Sequence, residues 1–318
     1  QGNQNDIYKN TLINKETVNI SKHPSNDISP VIDEFGNVYF GSDDGFVYAL
    51  NVDGSLKWKY ETGAGVTAAP LVASLDRLYI GSKSGQFYCF NRTTGDTIWT
   101  FQTGDQILSS ATLDNGGRLL FGSLDGNLYC LDSEFGNVWW SAPVGNRIYS
   151  APAFSPDSSI TYVGGFDKKV YALDIKTGNT IWNYTTGGYI LSSLAVDTLG
   201  NIYTSSSDKK VYALSPDGEL IWTHTTGGSI WYSSPALGMD NDVYIGSDSV
   251  VGTRAGRLFC RAVRRRRTLL HHRYQCRTSV YHLGDVDRGL RNHPGGMGIE
   301  QQVCFFRCDA CLCADGIL

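Results

Sequence analysis

A tryptophan recurs through this chain at Trp58, Trp99, Trp140, Trp182 and Trp222, at spacings of 41, 41, 42 and 40 residues. Two other landmarks keep the same period. A tyrosine stands at Tyr48, Tyr88, Tyr129, Tyr171 and Tyr212, and a Gly-Ser or its equivalent lies ahead of it at Gly41, Gly81, Gly122, Gly164, Ser205 and Gly246. Three markers in step over more than 200 residues define a repeat protein, built from one structural unit stacked on copies of itself.

Each copy holds four short apolar runs separated by turn residues. In the fourth copy they read YSAPAF, ITYVGG, KVYALD and TIWNYT, divided by Ser-Pro-Asp, Asp-Lys-Lys and Lys-Thr-Gly-Asn. Runs of about five residues, rich in Val, Ile, Tyr, Trp and Thr and bounded by Gly, Asp, Asn and Pro, are strand chemistry. No stretch carries the 3.6-residue apolar period of a helix. Four strands per copy make one twisted antiparallel sheet with two apolar faces, which it buries only by packing on its neighbours. The expectation is an all-β fold, a β-propeller of four-stranded antiparallel blades with five full repeats, a partial sixth and an incomplete ring. The tryptophans are expected to fill the grooves between blades, burying about 200 Å² each. The glycine ahead of each supplies a positive-φ turn, capped through Asn51, Asn91, Asp132 or Asp174.

ALDIKTGNTIW and CFNRTTGDTIW follow an A-x-D-x-x-T-G-x-x-x-W pattern, with looser copies in ALNVDGSLKW, CLDSEFGNVWW and ALSPDGELIW. In this the chain resembles the pyrroloquinoline-quinone (PQQ)-type β-propeller repeat family over about residues 25–248. Neither the Trp-Asp dipeptides of WD blades nor the S-x-D-x-G-x-T-W box of sialidases occurs. The resemblance implies tryptophan-docked blades, with seven or eight in complete members.

Charge divides the chain. Residues 1–248 carry 15 Lys and Arg against 26 Asp and Glu, a net of −11; residues 249–318 carry 12 Arg, no Lys and 5 acids, a net of +7. The acidic repeat region argues against nucleic acid as its partner. No apolar run reaches the roughly 18 residues of a membrane span. The chain starts at Gln1 rather than Met, which leaves room for an upstream signal. Residues 1–24 are polar and are expected to form a linker or, in part, a strand closing the ring. Triplets for N-glycosylation stand at Asn19, Asn91 and Asn183.

The inner strands are expected in ISPV, TAAPL, LSSAT, YSAPA, LSSLA and YSSPA, whose small residues suit a crowded axis. The segments leading into them ring one mouth of the channel: Gly63-Ala64-Gly65-Val66, Gly104-Asp105-Gln106-Ile107, Gly145-Asn146-Arg147-Ile148, Gly187-Gly188-Tyr189-Ile190 and Gly227-Gly228-Ser229-Ile230. Scaffold positions repeat, so the positions that differ are free to serve function. Asp105, Gln106, Arg147, Tyr149, Tyr189, Trp231 and Tyr232 are therefore the candidate binding residues, set against the plainer role of ordinary loop residues.

Past Asp248 the pattern calls for a glycine and a tyrosine near residue 253, and neither appears. Four arginines occupy 264–267, His271-His272 follow, and Cys304, Cys308, Cys311 and Cys313 cluster late. Three readings stand side by side: a metal site without its second ligand pair, a basic nucleic-acid or nuclear-targeting patch, and translation out of frame into a poorly ordered tail. Codons can be chosen for residues 264–275 that, moved one nucleotide, read Asp-Gly-Asp-Gly-Arg-Phe-Tyr-Thr-Ile-Asp-Thr, which matches the third run of other blades.

Catalysis has little to stand on. Quinoprotein dehydrogenases of the resembled family imply PQQ, Ca²⁺, an adjacent Cys-Cys pair, an Asp base and a Trp floor, and the chain has no Cys-Cys dipeptide. Cys89 and Cys130 recur with the repeat at the places of Ala49, Ala172 and Ala213; Asp43, Asp44, Asp125, Asp167 and Asp208 recur as turn formers. The expectation is a non-catalytic, cofactor-free, metal-free monomer that binds a protein or peptide outside the cytoplasm, as scaffold members of the family do in bacterial outer-membrane assembly. The alternatives are a quinoprotein dehydrogenase fragment and a carbohydrate- or cell-surface-binding module.

Overall fold

The computed structural model describes residues 29–74, 76–238 and 242–247, together with the backbone of Phe259–Val263. The expectations for residues 1–24, the triplet at Asn19, and the arginine, histidine and cysteine clusters of the tail lie outside the described residues.

Among the described residues every regular element is a strand. Blade one is β1 (Val31–Ile32), β2 (Val38–Gly41), β3 (Phe46–Leu50) and β4 (Leu56–Glu61); blade two is β5 (Leu71–Ala73), β6 (Arg77–Gly81), β7 (Gln86–Asn91) and β8 (Thr97–Gln102). Blade three is β9 (Thr112–Leu113), β10 (Arg118–Gly122), β11 (Asn127–Asp132) and β12 (Val138–Pro143); blade four is β13 (Ala153–Phe154), β14 (Ile160–Gly164), β15 (Lys169–Asp174) and β16 (Thr180–Thr185). Blade five is β17 (Ala195–Val196), β18 (Ile202–Ser206), β19 (Lys210–Leu214) and β20 (Leu220–Thr225). A sixth sheet holds β21 (Ala236–Leu237), β22 (Val243–Ser247) and β23 (Phe259–Val263). Each sheet is an antiparallel meander whose strands pair in chain order, the arrangement short hairpin turns allow. The fold is all-β, made of propeller blades.

The middle strands are apolar on both faces, as sheets covered on both sides must be; β7 and β15 are buried at all four interior positions. Outer strands alternate, as in the exposed-exposed-intermediate-exposed pattern that opens β16. In each full blade the register shifts by one residue where the third strand meets the fourth, between Ala49 and Leu50 in blade one and at the matching places in the others.

Two details differ from the sequence reading. The inner strands span only two or three residues and begin at the last residue of each small-residue segment, because serines and alanines ahead of it bond to the neighbouring blade instead. Ala69 N donates to Ser110 Oγ at 3.1 Å, Ala151 N to Ser193 Oγ at 3.1 Å, and Ser193 N to Ser234 Oγ at 3.0 Å. The third strand of the sixth sheet also lies past the Asp248 boundary, pairing Val243 with Val263 and Gly246 with Cys260.

Candidate functional site

The tryptophans sit where adjacent sheets meet. Trp58 shares a cluster with Tyr39 and Val47 of its own blade and Leu78, Ile80 and Phe90 of the next. Its Nε1 donates to the Arg92 carbonyl at 2.9 Å; Trp140 does the same to Ile175 and Trp182 to Pro216. Each ring lies over a turn glycine of the following blade: a Cβ on Gly95 would come within 2.8 Å of the Trp58 ring, and one on Gly178 within 2.6 Å of Trp140. Those glycines have φ of +82° and +72°, so one residue supplies both the left-handed turn and the flat seat for the indole.

The same economy builds one end of the blades. The chain leaving each outer strand passes a glycine-containing turn and drops a Val or Ile into the core: Val66, Ile107, Ile148, Ile190 and Ile230 are nearly fully buried. The first four sit on Gly41, Gly81, Gly122 and Gly164, where any Cβ would collide with the aliphatic chain. That contact is the physical reason for the Gly-Ser landmark. Backbone bonds complete the anchor, with Val66 N donating to Ser42 O and Ile148 N to Ser123 O.

With the anchor fixed, the residue before it lies on the hairpin turn between the second and third strands. The turn donates a backbone N–H to the loop: Lys83 to Gly65 O, Leu124 to Gln106 O, Phe166 to Arg147 O and Ser207 to Tyr189 O, at 2.9–3.0 Å. The turn acids are braced in turn. Asp44 and Asp125 accept from the hydroxyls of Tyr48 and Tyr129 at 2.7 Å, and Asp167 and Asp208 from Tyr171 and Tyr212. Burial first, and the carboxylate partner second, push the Tyr129 and Tyr212 phenols up to about 12, so each remains a neutral donor.

The face is thus a row of loops and turns on a rigid scaffold. Arg147 is exposed in the loop entering blade four, and Tyr149, half-buried, tilts against Phe166 with centroids 5.7 Å apart. Phe166 stacks on Tyr189 at 4.1 Å and an interplanar angle of 1°, and Lys168 Nζ lies 5.6 Å from the Tyr189 ring centre. Trp231 and Tyr232, 43% and 72% exposed, lie in the loop entering the sixth sheet. Among the described residues they make no ring contact with that group. Asp105 and Gln106 belong to the loop entering blade three, where the Asp105 carboxylate accepts from Gln106 N at 2.7 Å. Of the seven candidates, then, Tyr149 and Tyr189 share one aromatic group, the Arg147 carbonyl holds its Phe166, and the other four lie apart.

Phe166, Lys168 and Lys209 were not among the sequence candidates. The signal was Asp-Lys-Lys at 167–169 and 208–210, where blades one to three end the turn in glycine. Gly45, Gly85 and Gly126 have φ of +79° to +88°, and Lys168 and Lys209 hold the same region at +73° and +72°. At the other end of this row the face turns acidic, with Asp43, Asp44 and Glu61 lining a recess beside Gly63-Ala64-Gly65.

Cys89 and Cys130 stand singly in separate sheets, and burial pushes their thiols up to about 11 and about 12, far from thiolate chemistry. Among the described residues no three His, Cys, Asp or Glu side chains gather to hold a metal, and no helix is long and apolar enough to cross a membrane.

A family model described as outer membrane protein assembly factor BamB matches residues 17–113 and 83–249, overlapping spans that together cover more than half of the chain. No curated protein matches.

Proposed function

We infer the function of this chain from one premise: it belongs to the family described as outer membrane protein assembly factor BamB. Its blades form a non-catalytic scaffold that binds a protein or extended peptide through the loops and turns at one end, outside the cytoplasm, with neither PQQ nor calcium. One observation carries this reading. The positions that anchor the loops mostly repeat from blade to blade, with Ser205 for glycine in blade five and Ser84 for the turn acid in blade two. The loop positions ahead of the buried Val or Ile do not, and they include Tyr189, which joins Phe166 and Tyr149 in a three-ring aromatic group. Aromatic side chains held rigid at a surface are the usual anchors of protein recognition, since they offer large contact area at little entropic cost.

Selection of peptides from a random displayed library on the immobilised chain tests it. Enriched peptides should lose binding to Tyr189→Ala and Phe166→Ala and keep it with Phe135→Ala, which alters an exposed aromatic in the turn between β11 and β12, at the opposite end. Enrichment that survives Tyr189→Ala and fails with Phe135→Ala would move the binding surface to the other end. Addition of PQQ with Ca²⁺ should give no bound-quinone absorbance and no alcohol-dependent dye reduction; either signal would replace the scaffold reading with the dehydrogenase.

A further inference from the structure

We propose that the patch formed by Arg147, Phe166, Lys168, Tyr189 and Lys209 is the docking site for an acidic, aromatic-bearing peptide segment, a specificity that rests on the end-face binding function above. The first argument is charge. Residues 1–248 are net −11, yet the turns of blades four and five carry Lys168-Lys169 and Lys209-Lys210, their own Asp167 and Asp208 being taken up by the hydroxyls of Tyr171 and Tyr212. These turns bond the backbone of Arg147 and Tyr189. Among the described residues none of these five cations is in an ion pair. Lys83, at the blade-two turn, instead meets Asp43 at 2.6 Å. Blade two neutralises its turn cation within the fold; blades four and five leave theirs for something else. Carboxylates of a partner are the complement that such cations select.

The second argument is backbone conformation. Glycine serves the left-handed position in blades one to three without steric cost. A lysine there is disfavoured by contact between its Cβ and the following carbonyl. Two neighbouring blades both hold lysine at this position, with φ of +73° and +72°. Residues held in sparsely populated conformations gather at functional sites, and here what the strain brings is a cation at the turn's outer corner.

The third argument is the flat aromatic pair. Phe166 and Tyr189 are parallel, and Lys168 lies over the outer ring. Rings edged by cations accept a planar side chain carried by a segment whose charge is negative. On its blade-three side the patch gives way to Asp105 and Asp125 and, beyond them, to the acidic recess of blade one, so a long phosphate polyanion running that way would meet repulsion. A short acidic peptide fits that boundary.

Fluorescence anisotropy of the full chain tests this, with a labelled short peptide alternating Glu and Tyr and a control alternating Lys and Tyr. The acidic peptide should bind and weaken with salt, and the basic one should not. Lys168→Gly with Lys209→Gly keeps the turn geometry and should weaken the acidic peptide about 10-fold or more. Lys176→Ala, an exposed lysine at the opposite end, should leave binding unchanged. Equal binding of both peptides, or an unaltered affinity in the double glycine variant, overturns the proposal. So does tighter, lysine-dependent binding of phosphatidylglycerol vesicles or of a single-stranded oligonucleotide. Library peptides that need Tyr189 but ignore Lys168 and Lys209 would sink the acidic specificity alone; a library that yields no end-face binders would sink the parent reading.

Discussion

The Trp58 indole and the Arg92 carbonyl meet at 2.9 Å across the joint between the first two blades. The bond recurs between Trp140 and Ile175 and between Trp182 and Pro216, but not at Trp99, whose Nε1 is buried without a partner. The cause lies within blade two itself. Tyr39 and Tyr203 give their hydroxyls to Asp33 and Asp197 in the preceding turn at 3.0 Å, which leaves Tyr39 only a long 3.4 Å approach to the Arg92 carbonyl. At the matching place Tyr79 has Ala73. Its hydroxyl donates instead to Ser133 O at 2.8 Å, the carbonyl that Trp99 would otherwise use.

This separates two conservative substitutions. Trp140→Phe leaves the buried Ile175 carbonyl without its donor and should cost about 1–3 kcal/mol. Trp99→Phe loses ring area but no hydrogen bond, and should cost less. Tyr79→Phe should be close to neutral, because the Trp99 indole can then take the freed Ser133 carbonyl. Urea denaturation midpoints of the three variants check the order; equal losses at Trp99 and Trp140 would refute it.

Gly178 and Gly54 both have positive φ, +72° and +77°, but only Gly178 lies under a tryptophan. Gly54→Ala meets nothing within 4 Å, so its cost should be the backbone penalty alone, about 1–2 kcal/mol. Gly178→Ala adds a collision with the Trp140 ring and should cost at least twice as much. Denaturant unfolding followed by tryptophan fluorescence measures both, and the Gly178 variant should also alter the native emission.

Much of this was legible because a repeat writes each constraint several times. The 41-residue period gave the sheets, and the tryptophan of one blade and the turn glycine of the next turn out to be two halves of one contact, as in Trp140 on Gly178. What stayed hidden was pairing across blades. Nothing in Asp-Lys-Lys says that Lys168 leans over Tyr189, because that contact joins a turn to a loop about 20 residues away. The reach of the sixth sheet was hidden for another reason. Gly256-Arg257-Leu258-Phe259-Cys260 repeats the Gly-Asn-Leu-Tyr-Cys of blade three, but a longer connection displaces it from the expected register. Arg147 and Tyr189 stood out as variation between copies, while Phe166 fell between the run ending at Gly165 and the Asp-Lys-Lys turn and was given no role.

Acid should weaken the fold through Asp33 and Asp197. Burial acts to raise both carboxyls, but hydrogen bonds outweigh it and hold each below the ordinary value. Asp197 accepts from Leu199 N, Asn201 N, Asn201 Nδ2 and Tyr203 OH at 2.8–3.0 Å. A carboxyl whose folded pKa is depressed contributes stability above its unfolded value, about 3.9, and loses it as pH falls through the folded value. Stability measured by urea should therefore be insensitive to these groups near neutrality and fall below about pH 4. Asp197→Asn should be less stable at neutral pH and show a shallower acid decline; an identical decline would assign the acid sensitivity elsewhere.

Lys168 and Lys209 set stability against recognition. Each occupies a left-handed position that glycine fills in the first three blades, and each is exposed, so little packing opposes its removal. Lys168→Gly and Lys209→Gly should each relieve strain of about 1–2 kcal/mol, offset by about 0.5–1 kcal/mol from the greater freedom of glycine in the unfolded chain. The net is a gain, small singly and additive in the double variant because the two turns lie in different blades and share no partner. The cation–π contact of Lys168 with Tyr189 makes its gain the smaller of the two. Urea midpoints should thus rise in the order wild type, Lys168→Gly, Lys209→Gly, double variant. A drop in either single variant would mean that these side chains stabilise the fold, and would remove the reason for assigning their strain to binding.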